Sequence, residues 1–235
     1  MNYNNEEVIY DVQAESRSVA LMKDVYWWMV LALVVTGATA WLTATVPAIQ
    51  AIVFGSMAML IGICVAELAL VVILSAAIKK LSFGAALALY LGYSVLNGLT
   101  ISSILLLYTA ESVAGTFFIC AGMFAAMAFY GTVTHRDLSA FGKFFLMALI
   151  GIIIASIVNI FVASSGLYWI ITYVGVVLFA GLTAYDTQKI RAILAEADTE
   201  DPMVQKFVLM GALSLYLDFI NLFLYLIRIF GNKRN

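Results

Sequence analysis

The sequence predicts an all-α integral membrane protein with seven transmembrane helices. Three observations predict it. Of 235 residues, 64% are hydrophobic and 11% charged, with a mean hydropathy of +1.04. The apolar residues gather into seven runs, each at or above the roughly 20 residues that a helical span needs. The positive charges between those runs fall on alternate loops, as orientation in a bilayer requires.

The same figures exclude other classes. A soluble domain is about half apolar and roughly a quarter charged, and it cannot hide this much apolar surface from water. Disorder needs low hydrophobicity and high charge. A transmembrane barrel needs strictly alternating segments of about ten residues. A net charge of -2 gives no basic surface for nucleic acid. The two cysteines, Cys64 and Cys120, stand in apolar runs with no CxxC or Cys/His spacing, so they read as small buried hydrophobes.

Residues 1–24 are a wet, acidic cytoplasmic tail carrying Glu6, Glu7, Asp11, Glu15, Arg17, Lys23 and Asp24. Val8, Val12, Val19 and Met22 form a weak apolar stripe, so part of the tail is expected to be an interfacial helix. The tail lacks the basic start of a signal peptide, and the run after it is too long for one. The membrane domain covers 25–231, with spans at 25–46, 51–78, 82–108, 113–134, 140–163, 168–189 and 207–230. Breaks fall at Pro47, Lys79-Lys80, Glu111, His135-Arg136-Asp137, Ser164-Ser165-Gly166 and the polar stretch 190–206. No internal repeat suggests a repeat-built transporter.

The tail and the loops after spans two, four and six hold nine Lys or Arg, counting Lys143 and Lys189 at span ends. The loops after spans one, three and five hold none. This bias places the N-terminus in the cytoplasm. Seven crossings put the C-terminus outside. Lys233 and Arg234 resist that, and a re-entrant seventh segment is the alternative. Small residues at helix-contact spacing, Gly98/Ser102, Gly122/Ala126 and Gly151/Ala155, read as packing positions.

Four ionisable residues stand inside spans without an obvious route to a surface: Glu67, Asp186, Asp218 and Arg228. Each costs a few kcal/mol in lipid unless it pairs, neutralises or meets water. They are functional candidates, or else buried pairs that fix helix register. Helical rise puts Asp186 near the cytoplasmic surface, three residues before Lys189. A boundary near Leu213 makes Asp218 shallow as well, and then Arg228 and Glu67 lie at similar depths of about 22 and 18 Å. Two layers follow: an Asp186–Asp218 pair near the cytoplasm and a deeper Glu67–Arg228 ion pair. Two close carboxylates share a proton more easily than both ionise, so the pair suits pH sensing. Lys79 and Lys80 are either basic partners of that pair or simple anchors. Asn97, Asn159 and Asn221 either line a path or bridge helices.

Three functions fit. In a cation pathway the carboxylates offer oxygen to Ca²⁺, but two aspartates suit weak, transient binding. In an intramembrane aspartyl protease two aspartates on consecutive helices share a proton. That family has Gly-x-Gly-Asp, where this chain has Leu215-Tyr216-Leu217-Asp218, and no Pro-Ala-Leu follows. In a regulatory protein the acidic tail engages a partner. His135-Arg136-Asp137-Leu138 mimics a kinase loop without its companions, and span seven has no interior Lys for a retinal Schiff base. No covalent chemistry, and hence no enzyme, is expected, and no cofactor.

Two segments carry a resemblance. Gly181-Leu-Thr-Ala-Tyr-Asp186-Thr-Gln-Lys-Ile190 and Ala212-Leu-Ser-Leu-Tyr-Leu-Asp218-Phe-Ile-Asn-Leu-Phe223, followed by Arg228-Ile-Phe-Gly231, resemble the Bax inhibitor-1 (lifeguard) family and its bacterial YccA/YbhL-like branch. The resemblance implies six helices around a central seventh and, for some members, a pH-sensitive calcium leak. It implies that Asp186 and Asp218 are the pH-sensing pair and that Glu67 and Arg228 form a latch. A family arginine ending span two has no match in register: Ile78 stands there, beside Lys79. Bacterial relatives are linked to inhibition of a membrane-anchored AAA protease, which supports the regulatory reading. Together these readings give a pH-regulated path for Ca²⁺ in a cytoplasmic (inner) membrane, gated by spans two, six and seven.

Overall fold

A computed structural model describes residues 3–197 and 201–234. The side chains of residues 3–14, including Glu6, Glu7, Val8, Asp11 and Val12 of the tail, lie outside the described residues. The described chain is helical: α1 (Tyr3–Thr45), α2 (Pro47–Phe54), α3 (Met57–Ala77), α4 (Phe83–Leu107), α5 (Ala110–Val133), α6 (Gly142–Val162), α7 (Ser165–Ala195) and α8 (Met203–Phe230). A single 3₁₀ turn, Ser139–Phe141, leads into α6. Seven helices among the described residues are long and apolar enough to cross a membrane.

Polar residues in the breaks start the next helix. Pro47 opens α2, where its missing N–H has no partner to lose. Ser56 adopts an extended backbone and accepts from Met59 N at 3.1 Å, which ends α2 and begins α3. The run expected as one span from 51 is therefore two helices. Ser82, Thr109, Ser164 and Asp201 accept in the same way from Ala85, Ser112, Leu167 and Met203. α1 passes without a break from the tail into the first span. At the tail end it buries Ser18, Leu21, Met22 and Val25, while Val19 of the expected stripe points outward.

The chain divides into two compact units. The first comprises Met1–Leu107 and Ile190–Tyr216. Here α4 lies close against α1: a Cβ added at Gly98 would come within 2.7 Å of Thr36 O and 2.6 Å of Thr39 Cβ. Tyr90 donates to Trp28 O at 3.0 Å. Lys206 Nζ reaches Leu81 O at 3.1 Å and Lys79 O at 3.4 Å, serving carbonyls at the end of α3. Arg17 donates to Ala197 O at 2.7 Å, and Arg191 pairs with Glu15 at 3.1 Å.

The second unit comprises Tyr108–Lys189 and Leu217–Asn235. Phe219 of α8 lies edge-on to Phe117 and Phe124 of α5, each at 5.5 Å between centroids. α5 and α7 meet backbone to backbone: a Cβ at Gly131 would collide with the Ala184 peptide. Gln188 of α7 accepts from Leu138 N at 2.8 Å and donates to Arg136 O at 2.9 Å, holding the α5–α6 loop. Thr109 N donates to Asn232 O at 2.9 Å, and Tyr108 bridges Lys233, so the segment after α8 is pinned to the turn before α5.

Two sequence expectations are corrected. Gly98/Ser102 is a packing position, but Gly122/Ala126 and Gly151/Ala155 are not. A Cβ at Gly122 or Gly151 meets no atom within 4 Å. The four-residue spacing marks a helix face without saying which way that face points; Gly122, Ala126 and Gly151 are exposed and Ala155 is half-buried. Cys120 is buried as expected, but Cys64 is exposed. Only Ile63 and Leu74 of α3 are buried. An outward apolar face needs no protein cover when lipid is the solvent. α8 is the most enclosed spanning helix, with 67% of its apolar window buried against 6% for Ser139–Val162.

Candidate functional site

Asp218 and Asp186 both lie in the second unit, on α8 and α7. Asp218 is 4% exposed. Its Oδ2 is buried and meets no hydrogen-bond partner among the described residues. Asp186 is half-buried, and its charge acts on Asp218. Hydroxyl groups near Asp186 along α7 serve their own helix: Thr183 donates to Phe179 O and Thr187 to Thr183 O. Lys189 Nζ stands 5.7 Å from the Tyr185 ring centroid. Tyr185 in turn packs on Phe145 and over Gly142 of α6. The site thus holds two like charges, one of them nearly sealed off. Such a pair is stable in a dry interior when one carboxyl carries a proton that the other accepts.

Glu67 belongs to the first unit and Arg228 to the second. Glu67 is half-buried and accepts from Thr100 Oγ1 at 2.9 Å. Arg228 lies over two rings, with its guanidinium 5.0 Å from the Tyr225 centroid and 5.5 Å from that of Tyr168. Lys79 and Lys80 are exposed after α3, in the first unit, whereas the aspartates are in the second.

The three asparagines do different work. Asn97 is buried, and its Oδ1 accepts from Tyr216 at 2.9 Å. Asn221 donates to Leu217 O at 2.8 Å within α8. Asn159 Oδ1 accepts from Ser164 N at 3.0 Å, where Ala163 turns left-handed (φ 50) to end α6. His135 is exposed in its loop. In that loop the Ser139 hydroxyl and backbone N–H hold the Asp137 carboxyl below the ordinary carboxylate range. Among the described residues no three His, Cys, Asp or Glu side chains gather as a metal site.

Sequence reasoning missed a buried polar chain in the first unit. Thr36 meets Tyr216 at 2.7 Å and Ser94 O at 3.0 Å. The rings of Tyr90 and Tyr93 stand edge-on to Tyr216. Neutral hydroxyls are common in spans, and Thr36 and Tyr216 are 180 positions apart. No local signal joins them.

The model of the family described as Inhibitor of apoptosis-promoting Bax1 matches residues 19–235. The chain belongs to the Bax inhibitor-1 family. Among Bax inhibitor-1 relatives, inner membrane protein YbhL of Escherichia coli K12 is 50% identical over 224 residues, covering 95% of this chain and 96% of its own. A protein of Rickettsia prowazekii is 44% identical over 218 residues, covering 91% and 90%. One of Borreliella burgdorferi is 43% identical over 213 residues, covering 90% and 91%. The likeness therefore runs over nearly the whole Bax inhibitor-1 domain, including both aspartate-bearing helices.

Proposed function

We propose that this Bax inhibitor-1 family member is a pH-regulated leak path for Ca²⁺ or related cations in a cytoplasmic (inner) membrane, gated by Asp186 and Asp218. The observation that carries this reading is the near-complete burial of Asp218 with a like charge acting on it. Sharing one proton, the two carboxyls attract and hold α7 to α8. When both are charged they repel, and the helices part. Ca²⁺ takes six to eight oxygen ligands, so two aspartates suit brief contact in transit rather than storage. In this reading Glu67 and Arg228 act as a latch between α3 and α8, and Lys79 and Lys80 stand at the cytoplasmic end of α3.

The positive-inside bias supports a cytoplasmic N-terminus. The 28 residues of α8 extend about 42 Å, enough for a full crossing rather than a re-entrant turn. The name of YbhL supports the inner membrane as the location. No step in this reading is covalent.

The test is Ca²⁺ entry into liposomes bearing the purified full-length protein, with pH stepped. Wild-type entry changes with pH. Asp186→Asn and Asp218→Asn give pH-flat entry. Equal, pH-flat traces from all three proteins overturn the leak reading.

A second reading rests on α1. Its 43 residues extend about 65 Å, roughly twice the hydrocarbon core, so a helical tail stands clear of the bilayer. That tail suits contact with a protein partner, and the family resemblance suggests a membrane-anchored AAA protease. Deleting residues 2–20 then removes the regulatory effect and leaves flux intact. Aspartyl protease chemistry is disfavoured by the missing Gly-x-Gly-Asp and Pro-Ala-Leu motifs. Cleavage of a signal-peptide reporter by wild type but not by Asp218→Ala would restore it.

A further inference from the structure

Arg228 carries a charge that no acid of the second unit answers. It stands on the last turn of α8 and is half-buried. Its guanidinium lies over the rings of Tyr225 and Tyr168. Rings attract a cation through their faces, but the five N–H groups of arginine are spent on oxygen. Among the described residues no carboxylate stands within ion-pair reach of Arg228 and no acceptor within hydrogen-bond reach. A charge at the edge of lipid is costly unless it pairs or meets water. The N–H groups are therefore directed to an acceptor outside the chain. The ring beneath them is fixed: Tyr225 is 9% exposed and lies on Phe179, 5.8 Å between centroids and 26° between planes. A Cβ at Gly175 would come within 2.6 Å of its Cζ. A guanidinium held on a fixed ring is ordered before any ligand arrives, which lowers the cost of binding one.

Two further observations give the level in the membrane and the sign of the charge. Trp169 and Tyr173 follow Tyr168 on α7, are 41% and 55% exposed, and stack at 5.7 Å. Exposed Trp and Tyr near the end of a span sit at the headgroup level. Arg228 rests on the first residue of that belt, at the depth of the lipid phosphates. Past α8, Tyr108 lies against Gly231, and Thr109 N donates to Asn232 O at 2.9 Å. These contacts fix the strand of chain that carries Lys233 and Arg234, both exposed. Against the three cations stands Glu111, exposed in the first turn of α5.

We propose that Arg228, seated on Tyr168 and Tyr225, binds the phosphodiester of an anionic glycerophospholipid of the phosphatidylglycerol class. A guanidinium gives two parallel N–H bonds to two phosphate oxygens, and stacking on a ring leaves that edge open. Lys233 and Arg234 favour a headgroup without a positive charge of its own, because an ethanolamine ammonium would meet like charges. Ile170, Val174 and Val177 give the same helix an exposed apolar side for acyl chains. A guanidinium bound to phosphate is not at the same time paired with Glu67, so lipid and latch compete for one side chain.

The test is native mass spectrometry of the full-length protein in detergent with equimolar phosphatidylglycerol and phosphatidylethanolamine. Wild type retains phosphatidylglycerol in preference. Arg228→Gln lowers that preference about tenfold or more, the worth of one hydrogen bond to a charged group. Arg228→Lys keeps the charge without the fork and loses most of the preference too. Tyr168→Phe keeps the ring and the preference, whereas Tyr168→Leu weakens it. Glu67→Gln, which removes the other claimant for the guanidinium, keeps or raises it. Lys233→Gln with Arg234→Gln changes two exposed side chains beyond α8, leaves packing intact and narrows the preference. The proposal is overturned if wild type retains the two lipids alike, which would leave Arg228 to water. It is also overturned if Arg228→Gln and Arg228→Lys both retain lipid as wild type does. Should Arg228→Gln fail to fold, an unchanged preference in the Lys233/Arg234 variant overturns it. Loss of the bound lipid to excess inorganic phosphate would mean a soluble-anion site, and would overturn it as well. The readout needs no ion flux, so it is independent of the leak reading.

Discussion

Asp218→Asn melts at a higher temperature than the wild type in detergent, and the gain widens as pH rises. Asn keeps the shape of Asp and removes the charge. Asp218 is 4% exposed, its Oδ2 has no partner among the described residues, and the charge acting on it has the same sign. An ion taken out of water and left unpaired costs several kcal/mol, so a neutral group of like volume relieves the folded protein of that cost wherever the carboxyl is ionised. For a chain of this size each kcal/mol is worth roughly 2–4 °C. The ionised form is the costly one, so wild type loses ground as more of it ionises. Asp186→Asn moves the same way by less, because Asp186 is only half-buried. A lower melting temperature for Asp218→Asn even at high pH, where no proton is left to share with Asp186, would mean that the ionised carboxylate holds some other favourable partner.

Gly131→Leu destabilises the protein, while Gly122→Leu on the same helix leaves it within about 0.5 kcal/mol of wild type. A Cβ at 131 would lie 3.0 Å from both Cα and C of Ala184 and closer still to its oxygen. Backbone cannot step aside as a flexible side chain can, so α5 and α7 must separate. Overpacking of this kind costs about 1–3 kcal/mol, and a full leucine side chain lies at or above the top of that range. At Gly122 nothing stands within 4 Å, and a leucine there adds only outward apolar surface. Melting curves of the two variants side by side check the contrast. Ala184 is two residues before Asp186, so Gly131→Leu also disturbs the placement of the acid. Equal melting of the two variants would show that α5 and α7 do not meet at Gly131.

The spans were legible because lipid demands long apolar runs, and the two aspartates because a charge inside such a run stands out. Helix ends were less legible. Apolar windows report where the chain leaves lipid, not where backbone hydrogen bonds stop. α7 runs on to Ala195 past the expected end at 189, and α1 is already helical at Tyr3. The break at Ser56 was hidden because its neighbours are apolar on both sides. Gly131 was missed, although Gly122 and Gly151 were picked out by spacing, because spacing gives a face and not its neighbour. Thr36, Ser94, Thr100 and Tyr216 were missed for a related reason. Each is an ordinary residue until a distant helix supplies its partner.

A gate of this kind works only if the two carboxyls hold one proton in common. The infrared band that disappears in Asp218→Asn belongs to Asp218, and its midpoint is measured in wild type and in Asp186→Asn. If the pair titrates as a unit, removing the Asp186 charge moves that midpoint by about one pH unit or more. An Asp218 band with the same frequency and midpoint in both proteins would show that each acid titrates alone, and the gate would have no switch.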